Sequence, residues 1–244
     1  MGTAIVVTSG KGGTGKTSIT GGVAGSLARL GHSVLCIDMD IGLRNLDISL
    51  GLSDRALMDF SDVAEGRCPL VRAAVNHPDL PGLALLTAPM TLSPALTEEA
   101  VRRMLDTARS LYDYVLIDSP AGLGAGFRMA CCGADRAIVV STNDASSLRD
   151  AQRTVGELDF LRQIHLVMNR IQPKLLRQLR TTIDDAMDTA GLPLIGVIPE
   201  DAQVMLCANR GIPLTSQGRK GAAMACRNIA WRLMGRRIPI MRIR

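Results

Sequence analysis

Close to the amino terminus, "SGKGGTGKTS" (9–18) satisfies the pattern G-x-x-x-x-G-K-[ST] through Gly10, Gly15, Lys16 and Thr17. Gly10, Gly12, Gly13 and Gly15 let the backbone curl so that successive N–H groups, those of Thr14 and Ser18 among them, converge on phosphate oxygens. A helix opening at the end of the loop adds the partial positive charge of its N-terminus. In such a loop Lys16 reaches the β- and γ-phosphates and the Thr17 hydroxyl ligates Mg²⁺. Lys11 is a second cation, at a position the pattern leaves open. Two apolar runs end in carboxylates: "VLCIDMD" places Asp38 and Asp40, and "YVLIDSPAG" places Asp118. A strand-end aspartate beside a phosphate loop is where Mg²⁺ is held, and Gly122 gives the following loop freedom to respond to a γ-phosphate. The chemistry implied is binding of a nucleoside triphosphate and transfer of its terminal phosphoryl group.

Such side chains need a rigid frame. Short apolar runs at 3–9, 34–38, 83–88, 114–119, 137–142, 165–170 and 194–200 read as strands buried on both faces. Helical patterns fill 16–30, 56–65, 97–111, 144–161, 174–190, 201–209 and 219–235. Thr97 is the expected N-cap of its helix, with Glu98 and Glu99 in the first turn, while Asp144 and Ser146 are alternative caps of theirs. The alternation predicts an α/β fold: a doubly wound, mostly parallel sheet flanked by helices, with ligands at the carboxyl ends of the strands. One domain is expected over 1–235, followed by a basic tail over 236–244.

Composition narrows the function classes. The 244 residues are 47% apolar and 21% charged, enough for a sizeable core. Aromatics make up only 2%, which argues against a platform for stacking single-stranded bases. Residues 202–244 hold nine Lys and Arg and no acid, whereas the preceding residues hold 19 Lys and Arg and all 23 Asp and Glu. A basic end on an acidic body points to an anionic surface as partner. The six cysteines show neither C-x-x-C pairing nor zinc spacing, which suits reduced core residues of a cytosolic protein. No leader is read at the amino terminus, and "MGTAIV" lacks the Ser or Thr of a myristoylation signal. No apolar run approaches the length of a membrane span, so any membrane contact is expected to be peripheral.

Taken together, "KGGTGKT" (11–17), "DMDIGLRNLD" (38–47), "DSPAG" (118–122), "SSLRDAQR" (146–153), "MNR" (168–170) and "VIPED" (197–201) resemble the ParA/MinD group of deviant Walker A ATPases. The resemblance is to its septum-site-determining MinD branch and runs to about residue 240. It implies that Lys11 crosses the interface of an ATP-bound homodimer to the partner's phosphates. Lys16 and Thr17 then serve the nucleotide of their own chain, Asp40 orients the attacking water, and Asp38 and Asp118 lie on the magnesium side. Asn45 belongs to switch I and Gly122 to switch II, while Asp150 holds Lys11 in the monomer. Asn169, with Arg170 beside it, recognises adenine, and Pro199, Glu200 and Asp201 line the base pocket. The implied cofactors are ATP or ADP with Mg²⁺. The implied partners are a MinC-like inhibitor and a MinE-like activator. The implied location is cytoplasmic, moving to the inner face of the cell membrane when ATP is bound.

The resemblance stops short at the tail. Relatives carry an amphipathic helix rich in Phe, Leu and Lys, whereas this chain reads "WRLMGRRIPIMRIR", with Pro239 interrupting any continuous helix. Truncation, a member without the anchor, and a tail that binds anionic lipid weakly through Ile238, Ile240, Met241 and Ile243 are the three readings. Two other functions compete. A ParA-like partition ATPase would bind DNA through Arg210, Arg219, Lys220, Arg227 and Arg232, against which "GLRNLD" argues. A flagellar-placement relative shares the same loop. A metal-cluster carrier is disfavoured, because Cys131 and Cys132 are adjacent.

Overall fold

Every apolar run read as a strand joins one sheet in the computed structural model, which describes residues 1–218 and 220–243. Arg219 and Arg244, two of the cations of the basic end, lie outside the described residues. In chain order the first half runs β1 (Thr3–Thr8), α1 (Lys16–Arg29), β2 (Val34–Asp38), α2 (Leu46–Leu50), α3 (Phe60–Ala64), α4 (Leu70–Ala73), β3 (Val75–Asn76), β4 (Leu83–Leu86), α5 (Glu98–Leu111) and β5 (Tyr114–Asp118). The second half runs α6 (Ala125–Cys131), β6 (Arg136–Ser141), α7 (Ala145–Gly156), β7 (Ile164–Ile171), α8 (Pro173–Leu179), α9 (Ile183–Ala190), β8 (Leu194–Pro199), α10 (Ala202–Asn209), a 3₁₀ turn (Leu214–Gln217) and α11 (Gly221–Leu233).

The eight strands lie in the order β3-β4-β2-β5-β1-β6-β7-β8, parallel throughout except for the two-residue edge strand β3. Strand β1 sits between β5 and β6, so the chain leaves it at the point where the winding reverses. A crevice opens there at the carboxyl ends of the strands. Each face of the sheet carries its own apolar core, one under α5, α7 and α9 and the other under α1 and α11. Helix α5 presents Val101, Met104, Leu105 and Ala108 to the sheet, a stripe at helical spacing. Burying each of its larger aliphatic side chains contributes about 1.5–3 kcal/mol. Helix α1 is covered on most sides, and a Cβ at Gly22 would stand 2.7 Å from Cys226 Sγ on α11. The phosphate loop is thereby anchored on a helix clamped between sheet and neighbour.

Several boundaries differ from the expectations. The single helix expected over 174–190 is two, because Arg180 turns left-handed (φ 52°) and Thr182 starts α9 with a capping box to Asp185. The pattern at 56–65 shortens to α3, since Asp59 caps there and closes a box with Asp62. Helix α7 starts at the Asp144 cap and ends at Gly156 rather than at 161. Helices α2, α4 and α6 and strand β3 are additions to the expected elements, each too short to show a period in the sequence. Residues 236–243 form neither helix nor strand. No helix among the described residues is long and apolar enough to cross a membrane.

Candidate nucleotide-binding site

The loop between β1 and α1 holds its shape through side chains that the motif does not specify. Ser9 Oγ donates to the Lys11 carbonyl at 2.6 Å, and Lys16 Nζ donates to Ser9 Oγ at 3.0 Å. Asn169, buried at the end of β7, donates from Nδ2 to the Thr14 carbonyl at 2.7 Å. Gly15 is left-handed (φ 95°), and a Cβ there would stand 2.3 Å from Asn169 Nδ2, so no other residue fits this turn unchanged. Thr14 Oγ1 is buried with no partner among the described residues. Such a donor fits a phosphate oxygen.

The four loop glycines do not share one task. Gly13 is left-handed (φ 77°), so the turn itself selects it, although a Cβ there would meet no atom within 4 Å. Gly12 is neither left-handed nor crowded: a Cβ would come no closer than 3.8 Å, to Ala121 of the loop after β5. The curl expected of all four glycines therefore rests on Gly13 and Gly15. Gly12 and Gly13 also lie apart from the cavity that Gly15 and Ser18 border. With Lys11 and Thr14 they line a separate open cavity of about 400 Å³, whose far wall includes Asp144 and Arg170.

Lys16 is 7% exposed, and burial pushes its ammonium below the ordinary lysine range, against the pull of Asp118 and Asp40. Asp118 and Asp38 stand opposite each other where β5 and β2 end in register. Burial raises the Asp118 carboxyl to about 7, opposed by hydrogen bonds from Thr17 and Thr20, with Asp38 adding repulsion. Thr20 Oγ1 donates to Asp118 Oδ1 at 3.1 Å. Burial likewise raises Asp38 to about 6, although its oxygens accept from the Asp40 amide (2.9 Å) and the Leu46 amide (3.1 Å). Asp38 therefore ties down the whole 40–46 segment. Asp40 is half-buried and raised by desolvation, with Lys16 pulling the other way.

Two desolvated carboxylates beside Lys16 and Thr17 suit a cation such as Mg²⁺. No group of three or more His, Cys, Asp or Glu side chains placed to hold a metal exists among the described residues. Thr17 and Asp118 are the residues that would hold it, with Asp38 behind.

Lys11 is not held as the resemblance implies. Its Nζ donates to Asp144 Oδ1 at 2.7 Å and to Ser146 Oγ at 3.0 Å, not to Asp150. Asp144 caps α7 and faces the loop, whereas Asp150 lies further along that helix with its Cβ and carbonyl packed against Gly10. The Asp150 carboxylate instead lies 3.9 Å from Arg153. Burial opposes charge on Asp144, but hydrogen bonds from Lys11, Ser146, Thr142 and the Ser147 amide hold it well below the usual carboxylate range. Side-chain exposures of 34% and 50% make this a weak pair, worth at most about 1 kcal/mol. Asp144→Asn should therefore free Lys11 and tighten ATP-dependent self-association by no more than about fivefold. Light scattering against protein concentration would read this, and unchanged or weaker association would refute the storage role.

On the other side of the loop, a cavity of about 290 Å³ is lined by Gly15, Asn169, Pro199, Glu200, Met205 and Ala222, among others. Arg170, left-handed at φ 55°, borders it where β7 and β8 slip register. Asp201 lines it too, with both carboxylate oxygens engaged: Oδ1 accepts from the Gln203 amide and Oδ2 from the Ala222 amide, each at 2.9 Å. Its work is to join the starts of α10 and α11. Gly122 is left-handed (φ 81°), and Asn45 precedes α2 without capping it through its side chain.

Ser9, Thr20, Arg44 and Asp144 belong to the site although the motifs do not mark them. Thr20 follows Thr17 by three positions on α1 and so shares its face. Arg44 is left-handed (φ 47°), and its Nε donates to the Ala88 carbonyl at 2.5 Å, locking the 40–46 segment to the loop after β4. Nothing local in the sequence signals that contact.

The sequence profile of the CobQ/CobB/MinD/ParA nucleotide binding domain matches residues 5–214. The septum site-determining protein MinD of Synechocystis is 40% identical over 97% of this chain and 91% of its own length. MinD in the MinC:MinD cell division protein complex of Aquifex aeolicus superposes with a TM-score of 0.92 at 38% identity, covering 98% of both chains. The Pyrococcus horikoshii MinD complexed with Mg-ADP gives 0.84 at 27% identity, covering 96% of both. With its phosphate loop, paired strand-end carboxylates and adjoining cavity, the chain belongs to the septum site-determining MinD branch of this nucleotide-binding family.

Proposed function

We propose that the protein is an ATP-driven switch that helps position the division site, dimerising with ATP and resetting by hydrolysis. The observation that carries this reading is Lys11, a cation poised at the loop mouth and held by a part-exposed pair with Asp144 and a hydrogen bond to Ser146. Hydrolysis of ATP calls for little covalent chemistry from protein groups and depends on positioning and charge stabilisation. The loop amides and Lys16 grip the phosphates of the chain's own nucleotide. Bound Mg²⁺ would neutralise charge developing on the β- and γ-oxygens. Asp40 orients water from a segment whose position Asp38 controls. Lys11 leaves Asp144 and enters the partner's site, so hydrolysis waits for dimerisation. Contact with the γ-phosphate orders switch I and the Gly122 loop, and its loss releases them.

A MinC-like inhibitor and a MinE-like activator complete the reading, supported by membership in the MinD branch. Contact with an anionic membrane belongs to the same reading. The tail that would make it is docked on the domain: the Arg232 guanidinium holds the Ile238 and Pro239 carbonyls at 3.1 and 2.7 Å, and Met241 and Ile243 pack against the two cores. Membrane binding through those apolar residues requires this tail to lift.

The direct test is the ATPase rate per molecule against protein concentration, with and without anionic vesicles. The expected result is a rate per molecule that climbs with concentration and climbs further on vesicles. A rate per molecule independent of concentration in both series would sink dimer-gated hydrolysis.

A further inference from the structure

The edge of the sheet opposite the nucleotide carries a cavity that the ATPase cycle leaves unused. Tyr114, Arg136, His165 and Leu194 stand at or near the starts of β5, β6, β7 and β8, and all line an open cavity of about 960 Å³. Arg162 and Arg232 join them, and no acidic residue lines the space. Among the described residues none of the three guanidinium groups has a carboxylate within ion-pair distance. Beside Tyr114 and Arg136, Asp113 accepts from the Ser33 amide and hydroxyl and Asp135 pairs with Arg109, while Asp159, three positions before Arg162, is exposed and makes no ion pair with it. Arg232 spends its donors on the carbonyls of Ile195, Ile238 and Pro239. Arg136 makes one long contact, 3.4 Å to the Leu233 carbonyl, and Arg162 is exposed with no hydrogen bond to a side chain among the described residues.

Cations crowded without counter-charge in a concave surface raise the local anion concentration. The planar guanidinium fork matches a phosphate in two-point contact. Leu161, Leu192 and Leu233 add an apolar wall, which suits the carbon side of a phosphate ester. We propose that this cavity is a second anion site that takes a phosphate ester, with Arg136 and Arg162 as its principal donors. The tail segment held by Arg232 runs beside it, so an occupant would sit where residues 236–243 leave the domain. Two sources share this chemistry, the glycerol-phosphate headgroup of an anionic lipid and a free phosphate monoester.

Full-length protein saturated with Mg-ADP, which keeps the phosphate loop filled, would be titrated calorimetrically with glycerol phosphate and, separately, with monomeric short-chain phosphatidylglycerol. Salt of about 0.15 M screens non-specific attraction beyond about 8 Å. Saturable binding of both ligands supports a site for free phosphate esters, and binding of the lipid alone assigns the headgroup. Either should weaken about tenfold in Arg136→Gln and in Arg162→Gln, the loss of one charge-assisted contact. Arg162 is exposed, so its variant tests the site without risk to the fold, and unchanged ADP affinity in both variants separates this result from the fate of the nucleotide site. No saturable binding of either ligand, or equal binding in wild type and both variants, overturns the proposal.

Discussion

Lys11→Ala is expected to remove concentration- and vesicle-stimulated ATP hydrolysis while leaving ADP affinity of the monomer intact. A cation supplied to phosphates in trans contributes about 10³–10⁵ in rate, so the stimulated rate should fall about a thousandfold or more. Among the described residues the Lys11 ammonium donates only to Asp144 and Ser146, both exposed, so its removal costs the monomer at most about 1 kcal/mol. That asymmetry makes the variant diagnostic. A side chain serving its own nucleotide would take ADP binding down with hydrolysis, as loss of buried Lys16 would. Stimulated turnover within about tenfold of wild type, about a hundredth of the smallest loss expected for such a cation, would remove the in-trans role. Calorimetry with ADP provides the accompanying check.

Asp118→Asn should abolish hydrolysis and yet make the nucleotide-free protein more stable above pH 7. Asp118 is 1% exposed, and its carboxyl is raised from 3.8 to about 7, mainly by burial. Between those values the folded chain keeps a proton that the unfolded chain has lost. Stability therefore falls as pH rises from about 4 to about 7 and stays low above. Asp38, raised to about 6 for the same reason, adds a loss in the same direction over a narrower window. Each tenfold change in proton affinity corresponds to about 1.4 kcal/mol, and since the two carboxylates repel one another part of that is shared. A gain on the order of 2 kcal/mol at about pH 8, shrinking toward zero near pH 4, is the expected result by urea unfolding without nucleotide. A neutral amide keeps an acceptor for Thr20 and removes the buried charge. If the variant were no more stable than wild type in mildly alkaline buffer, the desolvation argument would fail.

These charges show why the site can be recognised before it can be assembled. Loop, strand-end aspartates and distal "MNR" and "VIPED" segments are local signals, because phosphate and metal chemistry demand particular residue types at short spacing. Partner choice inside the site is not local. Lys11 pairs with a residue 133 positions away, and the choice of Asp144 over Asp150 depends on which turn of α7 faces the loop. Asn169 is expected at adenine, yet its amide also clasps the Thr14 carbonyl across 155 positions. Gly12 and Gly13 look interchangeable in the motif, and only the folded loop separates the left-handed one from its neighbour. The split of 174–190 is written locally, in the Thr182–Asp185 box, but an apolar period running across it masks the break.

Residue order alone sets the succession of strands and long helices, the phosphate loop, and the identity of the acids that flank it. Continuous apolar runs of this length between turn signals form buried strands, and glycines clustered before Lys-Thr admit the left-handed turns that a phosphate loop needs. Folding in three dimensions settles which groups lose water. Asp38 and Asp118 become neighbours only because β2 and β5 pair in register, and that burial moves their protonation toward neutrality. Arg136 at the start of β6, Arg162 just before β7 and Arg232 on α11 gather at the opposite edge only because the parallel sheet and α11 bring these distant segments together. Desolvation is a property of the assembled surface rather than of any residue's type, so it is written nowhere along the chain.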